Sequence, residues 1–69
     1  MEIKLDGEEF ILLQSLLKIS GLCDTGGGAK NAINDGLVTV DGVTETRRGK
    51  KIRSGQVVAF GGKTITVRD

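Results

Sequence analysis

Five cations fall within seven residues of this 69-residue chain: Arg47, Arg48, Lys50, Lys51 and Arg53, in the stretch ETRRGKKIRSG from Glu45 to Gly55. Clustered guanidinium and ammonium groups neutralise phosphates and displace condensed counterions, the main source of affinity for RNA or DNA. Such a run can also be a solvated loop that only aids solubility. Acids are excluded from the block, which favours the binding reading. A second stretch, DTGGGAKNAINDG from Asp24, puts Gly26, Gly27 and Gly28 where a helix would begin, with Lys30 following. Bare backbone amides at a helix start suit an anion such as a nucleic-acid phosphate. The same glycines would equally permit tight helix packing.

Other chemistries lack their residues. Gly21 and Gly26 have the spacing of a phosphate-binding loop, but Gly27 and Gly28 stand where Lys and Ser/Thr are needed, and a helix precedes them instead of a strand. Nucleotide hydrolysis is therefore rejected. The chain has no His and a single cysteine, Cys23, which excludes an intramolecular disulfide, a zinc site of the usual kind and the common acid, base and nucleophile constellations. Cys23 reads as a small hydrophobe. No enzyme, metal, cofactor or small-molecule substrate is expected. Gly61 and Gly62 read as a turn and not as an activated C-terminal diglycine, because seven residues follow them. Phe10 and Phe60 read as core residues, which leaves no aromatic platform for splayed bases. Shape and phosphate contacts remain.

The net charge is only +1, but it is unevenly placed. Up to Thr46 eight acids face three bases, a balance of −5; beyond it seven bases face Asp69 alone, a balance of +6. Because interactions fade over about 8 Å at cellular salt, the local field decides what is attracted. No apolar run approaches the roughly 20 residues of a membrane helix, and the N-terminus lacks the pattern of a signal peptide. A soluble, cytoplasmic protein is expected. A chain this short forms one domain, residues 1–69, and buries only about 60% of the surface its unfolded form exposes.

The cations need elements to hold them. MEIKL (Met1–Leu5) alternates as a short strand does. Asp6 with Glu9 has the form of a capping box, and from Glu8 to Ile19 the residues Phe10, Leu13, Leu16 and Leu17 recur at helical spacing. This predicts the main core helix, with Lys18 in its last turn and Ser20–Gly21 as its stop. Asp24 reads as the N-cap of a second helix whose buried face carries Ala29, Ala32 and Ile33, ending at Asp35–Gly36. The period then becomes two. Val38 and Val40 lead to an Asp41–Gly42 hairpin turn and a return over Val43 to Thr46; QVVAF (Gln56–Phe60) and KTITV (Lys63–Val67) form a further pair.

In this order the elements are similar to a known family. The stretch from Leu16 to Val58 resembles the S-four-type (S4) RNA-binding domain: a leucine-rich helix, a glycine, a capped second helix with Ala29–Lys30, then GLVTVDG and a closing basic segment with Gly55 and Val58. The shared Gly26, Gly27, Ala29, Lys30 pattern and the run Arg47–Lys51 look closest to small free-standing bacterial members. The resemblance implies an α+β fold built on the alpha-L motif, two short packed helices followed by a small, mostly antiparallel sheet of four to five short strands. It also implies a monomer that binds structured RNA, ribosomal or transfer RNA, through its backbone. Position by position, Lys18, Lys30, Arg47, Arg48, Lys50 and Lys51 would contact phosphates, with Arg53 added and backbone contacts at Gly26 and Gly27. Larger members commonly carry Arg where Gly26 stands. The alternative is a protein-interaction module docking its basic edge on an acidic, ribosome-associated partner.

Overall fold

Alternating apolar residues form most of the strands. In a computed structural model describing residues 1–25 and 27–69, the order is β1 (Glu2–Lys4), β2 (Ile11–Leu12), α1 (Leu13–Ile19), α2 (Gly26–Asn34), β3 (Val38–Val40), β4 (Val43–Thr44), β5 (Lys51–Ile52), β6 (Val57–Phe60) and β7 (Lys63–Arg68). Five strands form one sheet in the order β1-β7-β6-β3-β4, and β2 pairs with β5 in a separate two-stranded ladder. The α+β class, the paired helices and a mostly antiparallel five-stranded sheet agree with expectation; the parallel edge pair and the separate β2–β5 ladder add to it. β1 precedes the helices yet runs parallel to the last strand, with Ile3 opposite Val67. The remaining pairs are antiparallel.

The core lies between one face of the large sheet and the two helices. Leu13, Leu16 and Leu17 of α1 and Ala29, Ala32 and Ile33 of α2 are buried with Val38, Val58, Ile65 and Val67 of the sheet. Full burial of each leucine, isoleucine or valine among them contributes about 1.5–3 kcal/mol. Cys23 joins this core, and burial, reinforced by neighbouring Asp24, pushes its thiol pKa up. It packs as the small hydrophobe expected.

Where the sequence predicts a helix from Glu8, the structure turns and pairs instead. Asp6 and Gly7 adopt left-handed φ values of 53° and 92°, and the Glu8 amide donates to the Leu5 carbonyl at 3.1 Å. Asp6 is a turn residue and not a cap. Ile11 and Leu12 are then drawn into the ladder with Ile52 and Lys51, so α1 begins only at Leu13. Its N-cap, Leu12, offers no side-chain hydrogen bond. The long-range ladder outweighs local helical periodicity here, as tertiary pairing often does.

The second helix needs a smaller correction. Thr25, not Asp24, is the N-cap, its Oγ1 accepting from the Gly28 amide at 3.0 Å. Such a cap is worth about 1 kcal/mol. The Asp41–Gly42 hairpin forms as read, with φ values of 52° and 82° that match a primed turn. Gly61 and Gly62 likewise turn β6 into β7, with φ values of 60° and 78°.

Candidate nucleic-acid interface

The basic segment contributes only the two residues of β5 to regular structure, yet its backbone is fastened at several points. The carbonyls of Lys50 and Arg48 accept the opening amides of α1, from Leu13 at 2.9 Å and Gln14 at 3.1 Å. These bonds replace the missing cap: the segment satisfies donors that a helix start leaves without intrahelical partners. Ile52 is fully buried, the anchor into the core. Beyond it the Arg53 amide donates to Gln56 Oε1 at 2.8 Å. Gln56 Nε2 in turn reaches Asp41 Oδ2 at 3.5 Å, while Asp41 Oδ1 accepts from the Val57 amide at 2.9 Å. The hairpin turn thereby braces the end of the basic segment.

Strand alternation does the rest. With Ile52 turned inward, Lys51 and Arg53 point out and are exposed. Together with Arg47, Gly49 and Lys50 they line a surface depression of about 530 Å³. Arg48 is exposed beside it, its carbonyl held by Gln14. The structure thus gathers Arg47, Lys50, Lys51 and Arg53 of the predicted cluster on one surface.

Two neighbours modify that surface. Glu45 grips Arg47: its Oε2 accepts from the Arg47 backbone amide and from Nε, both at 3.1 Å, and Oε1 accepts from a terminal guanidinium nitrogen at 3.3 Å. The Arg47 side chain still stands 75% exposed, while that of Glu45 is only 13% exposed. The Arg47 side-chain hydrogen bonds, followed by its backbone amide, hold the Glu45 carboxyl below the usual glutamate range; reciprocally, the Arg47 pKa is raised. An acid therefore borders the cluster that the sequence shows as free of acids.

The other neighbour is Phe10. It precedes β2, so the Ile11–Ile52 register sets it opposite Arg53 and diagonal to Lys51. Lys51 Nζ lies 5.0 Å from the ring centroid and Arg53 Cζ 5.6 Å. Phe10 is half-buried and belongs to this surface, a correction to its reading as core; Phe60 does pack against the core. Neither Phe10 nor Glu45 carried a motif. No local signal marked Phe10, because a turn at Asp6–Gly7 lies before Glu8 and leaves Phe10 inside any helix beginning there.

The remaining predicted residues lie on the helices. Lys18 is exposed one helical turn beyond Gln14, the residue that joins α1 to Arg48. Lys30 and Gly27 are exposed three positions apart on α2. Among the described residues no hydrogen bond or ion pair joins these two to the depression. Gly26 lies outside the described residues. A Cβ at Gly27 would meet only Thr25 Oγ1, at 3.9 Å, and one at Gly28 the same atom at 3.3 Å. Among the described residues no other element packs against these two glycines, and at these positions the helix-packing reading fails.

Two helices packed on a mixed sheet, with a pinned basic segment at the start of the first helix, define the class of protein. The chain belongs to the S4 domain family, whose model matches residues 3–68. It is 47% identical over 55 residues to YbcJ of Escherichia coli (strain K12), covering 80% of this chain and 79% of that protein, and equally so to YbcJ of Shigella flexneri. The solution structure of E. coli YbcJ, described as revealing an alpha-L motif involved in RNA binding, superposes with a TM-score of 0.77 at 40% identity, over 99% of this chain and 86% of that one. The 30S ribosomal protein S4e of Thermoplasma acidophilum matches with a TM-score of 0.58 at 26% identity, over 77% of this chain and 26% of that one.

Proposed function

We propose that this domain is a cytoplasmic, monomeric RNA-binding protein that recognises structured RNA, ribosomal or transfer RNA, mainly through the phosphate backbone. The observation that carries this reading is the depression lined by Arg47, Lys50, Lys51 and Arg53, whose backbone is pinned to α1, to the core and to the hairpin. A pinned backbone presents its cations without first having to be ordered, which lowers the entropic cost of binding. In this reading exposed Arg48, Lys18 on α1 and Lys30 with the Gly27 amide on α2 supply further phosphate contacts. The alpha-L description of E. coli YbcJ and the ribosomal identity of the S4e relative support RNA as the polyanion.

Titration of a folded RNA, such as a transfer RNA or a ribosomal RNA hairpin, at several salt concentrations tests the proposal. With about four to six phosphate contacts, the slope of log affinity against log salt is expected to be roughly −3 to −5. Salt-insensitive binding, or none, overturns it.

A further inference from the structure

We infer that Phe10 is a positioning residue for RNA binding: its ring holds Lys51 and Arg53 in place while leaving their N–H donors available for phosphate. This rests on the RNA-binding reading above and adds a residue to it.

The clamp on Arg47 shows the contrast. Glu45 orders Arg47 by accepting hydrogen bonds from Nε and a terminal nitrogen, so a phosphate arriving there must share or displace a carboxylate. Lys51 and Arg53 are ordered in another way. Their contact with Phe10 is an attraction between cation and ring face, which occupies no hydrogen-bond donor. Strand register explains why one ring reaches both, since Arg53 is directly across from it and Lys51 is on the diagonal. Two side chains on the same side of an extended segment, two residues apart, sit about 6.6 Å from each other along the chain. Long cationic side chains normally lose rotamer freedom when they bind, and the ring removes part of that loss beforehand.

The experiment compares wild type, Phe10→Leu, Phe10→Tyr and Lys51→Ala on two folded RNAs, a fully paired duplex and a hairpin with unpaired loop bases, each protein under conditions where urea denaturation shows it fully folded. Proton chemical shifts of the Lys51 and Arg53 side chains are recorded for the RNA-free wild type and Phe10→Leu. Removing the ring is expected to shift those resonances and to weaken binding roughly five- to tenfold. The Phe10→Leu salt slope should stay at the wild-type value, because both cations remain. Phe10→Tyr is expected to restore affinity, while Lys51→Ala lowers the slope by about 1. Wild-type affinity in Phe10→Leu, or side-chain resonances unmoved by loss of the ring, overturns this inference and leaves the RNA-binding reading intact. A loss confined to RNAs with unpaired bases overturns it in favour of the ring stacking on a base. Failure of the wild type to bind folded RNA overturns both readings.

Discussion

Arg47 and Glu45 set the ionic behaviour of the site at the scale of single residues. Glu45 is only 13% exposed at its side chain and accepts three hydrogen bonds from Arg47, so its carboxylate is stabilised relative to its protonated form. A carboxyl whose folded pKa is depressed contributes stability above its unfolded value, about 4.3, and that contribution is lost as pH falls through the lower folded value. Carbon-detected NMR titration of Glu45 is therefore expected to give a midpoint below the ordinary glutamate value, rising back toward it in Arg47→Ala. An ordinary midpoint in the wild type would mean that the pair does not hold in solution. Neither this pair nor the Phe10 platform was legible from residue types. Both depend on where an irregular backbone carries its side chains: Glu45 is two residues from Arg47, and Phe10 meets Lys51 and Arg53 only through the ladder.

Between elements, the decisive junction is where β5 meets β2 and the start of α1. Ile52 is fully buried there, and the carbonyls on either side of Gly49 accept amides from α1. Truncating Ile52 to Ala is expected to lower stability by about 2–5 kcal/mol, the range for buried large-to-small changes. A domain of this size has roughly 3–10 kcal/mol in total, so the loss should be plain in urea denaturation. Exchange of the Leu13 and Gln14 amides with solvent should also accelerate, because the carbonyls that protect them belong to the released segment; unchanged protection would show that Ile52 is not the anchor. The α2 face and the hairpin turns were readable from the sequence, because spacing and turn dipeptides act locally. The length of α1 was not. Phe10, Leu13, Leu16 and Leu17 satisfy helical spacing from Glu8 onward, and nothing local reports that Ile11 and Leu12 pair with residues forty positions later. Asp6–Gly7 is nevertheless the same dipeptide as Asp41–Gly42, and both pairs adopt left-handed φ. A turn there excludes Asp6 as a cap but still leaves a helix free to start at Glu8; only the ladder with β5 moves its start to Leu13.

For the whole molecule, the question is whether net charge or its placement governs recognition. The chain carries ten bases and nine acids, so a uniform distribution would give a nearly neutral surface with little pull on RNA. Instead Arg47, Lys50, Lys51 and Arg53 converge on one depression, while Lys63 begins β7 across from Phe60. Phe60 lies four residues along the strand from Gln56, which braces the basic segment, a span of about 13 Å. That exceeds the distance of about 8 Å over which charges act at physiological salt. Lys50→Glu and Lys63→Glu change the net charge identically, yet they should differ in effect. Replacing Lys50 removes a charge-assisted contact, worth about 1.5 kcal/mol or more, and affinity for folded RNA should fall at least about tenfold at physiological salt. Replacing Lys63 should change it less than about twofold, because the altered charge is screened from the depression. Fluorescence anisotropy with a labelled RNA hairpin distinguishes the two outcomes. Equal losses would mean that the protein acts as a diffuse charge, and the depression would no longer explain binding. Unequal losses at low salt that converge as salt rises would instead follow from local phosphate contacts, since the term that separates the variants is the one that salt suppresses.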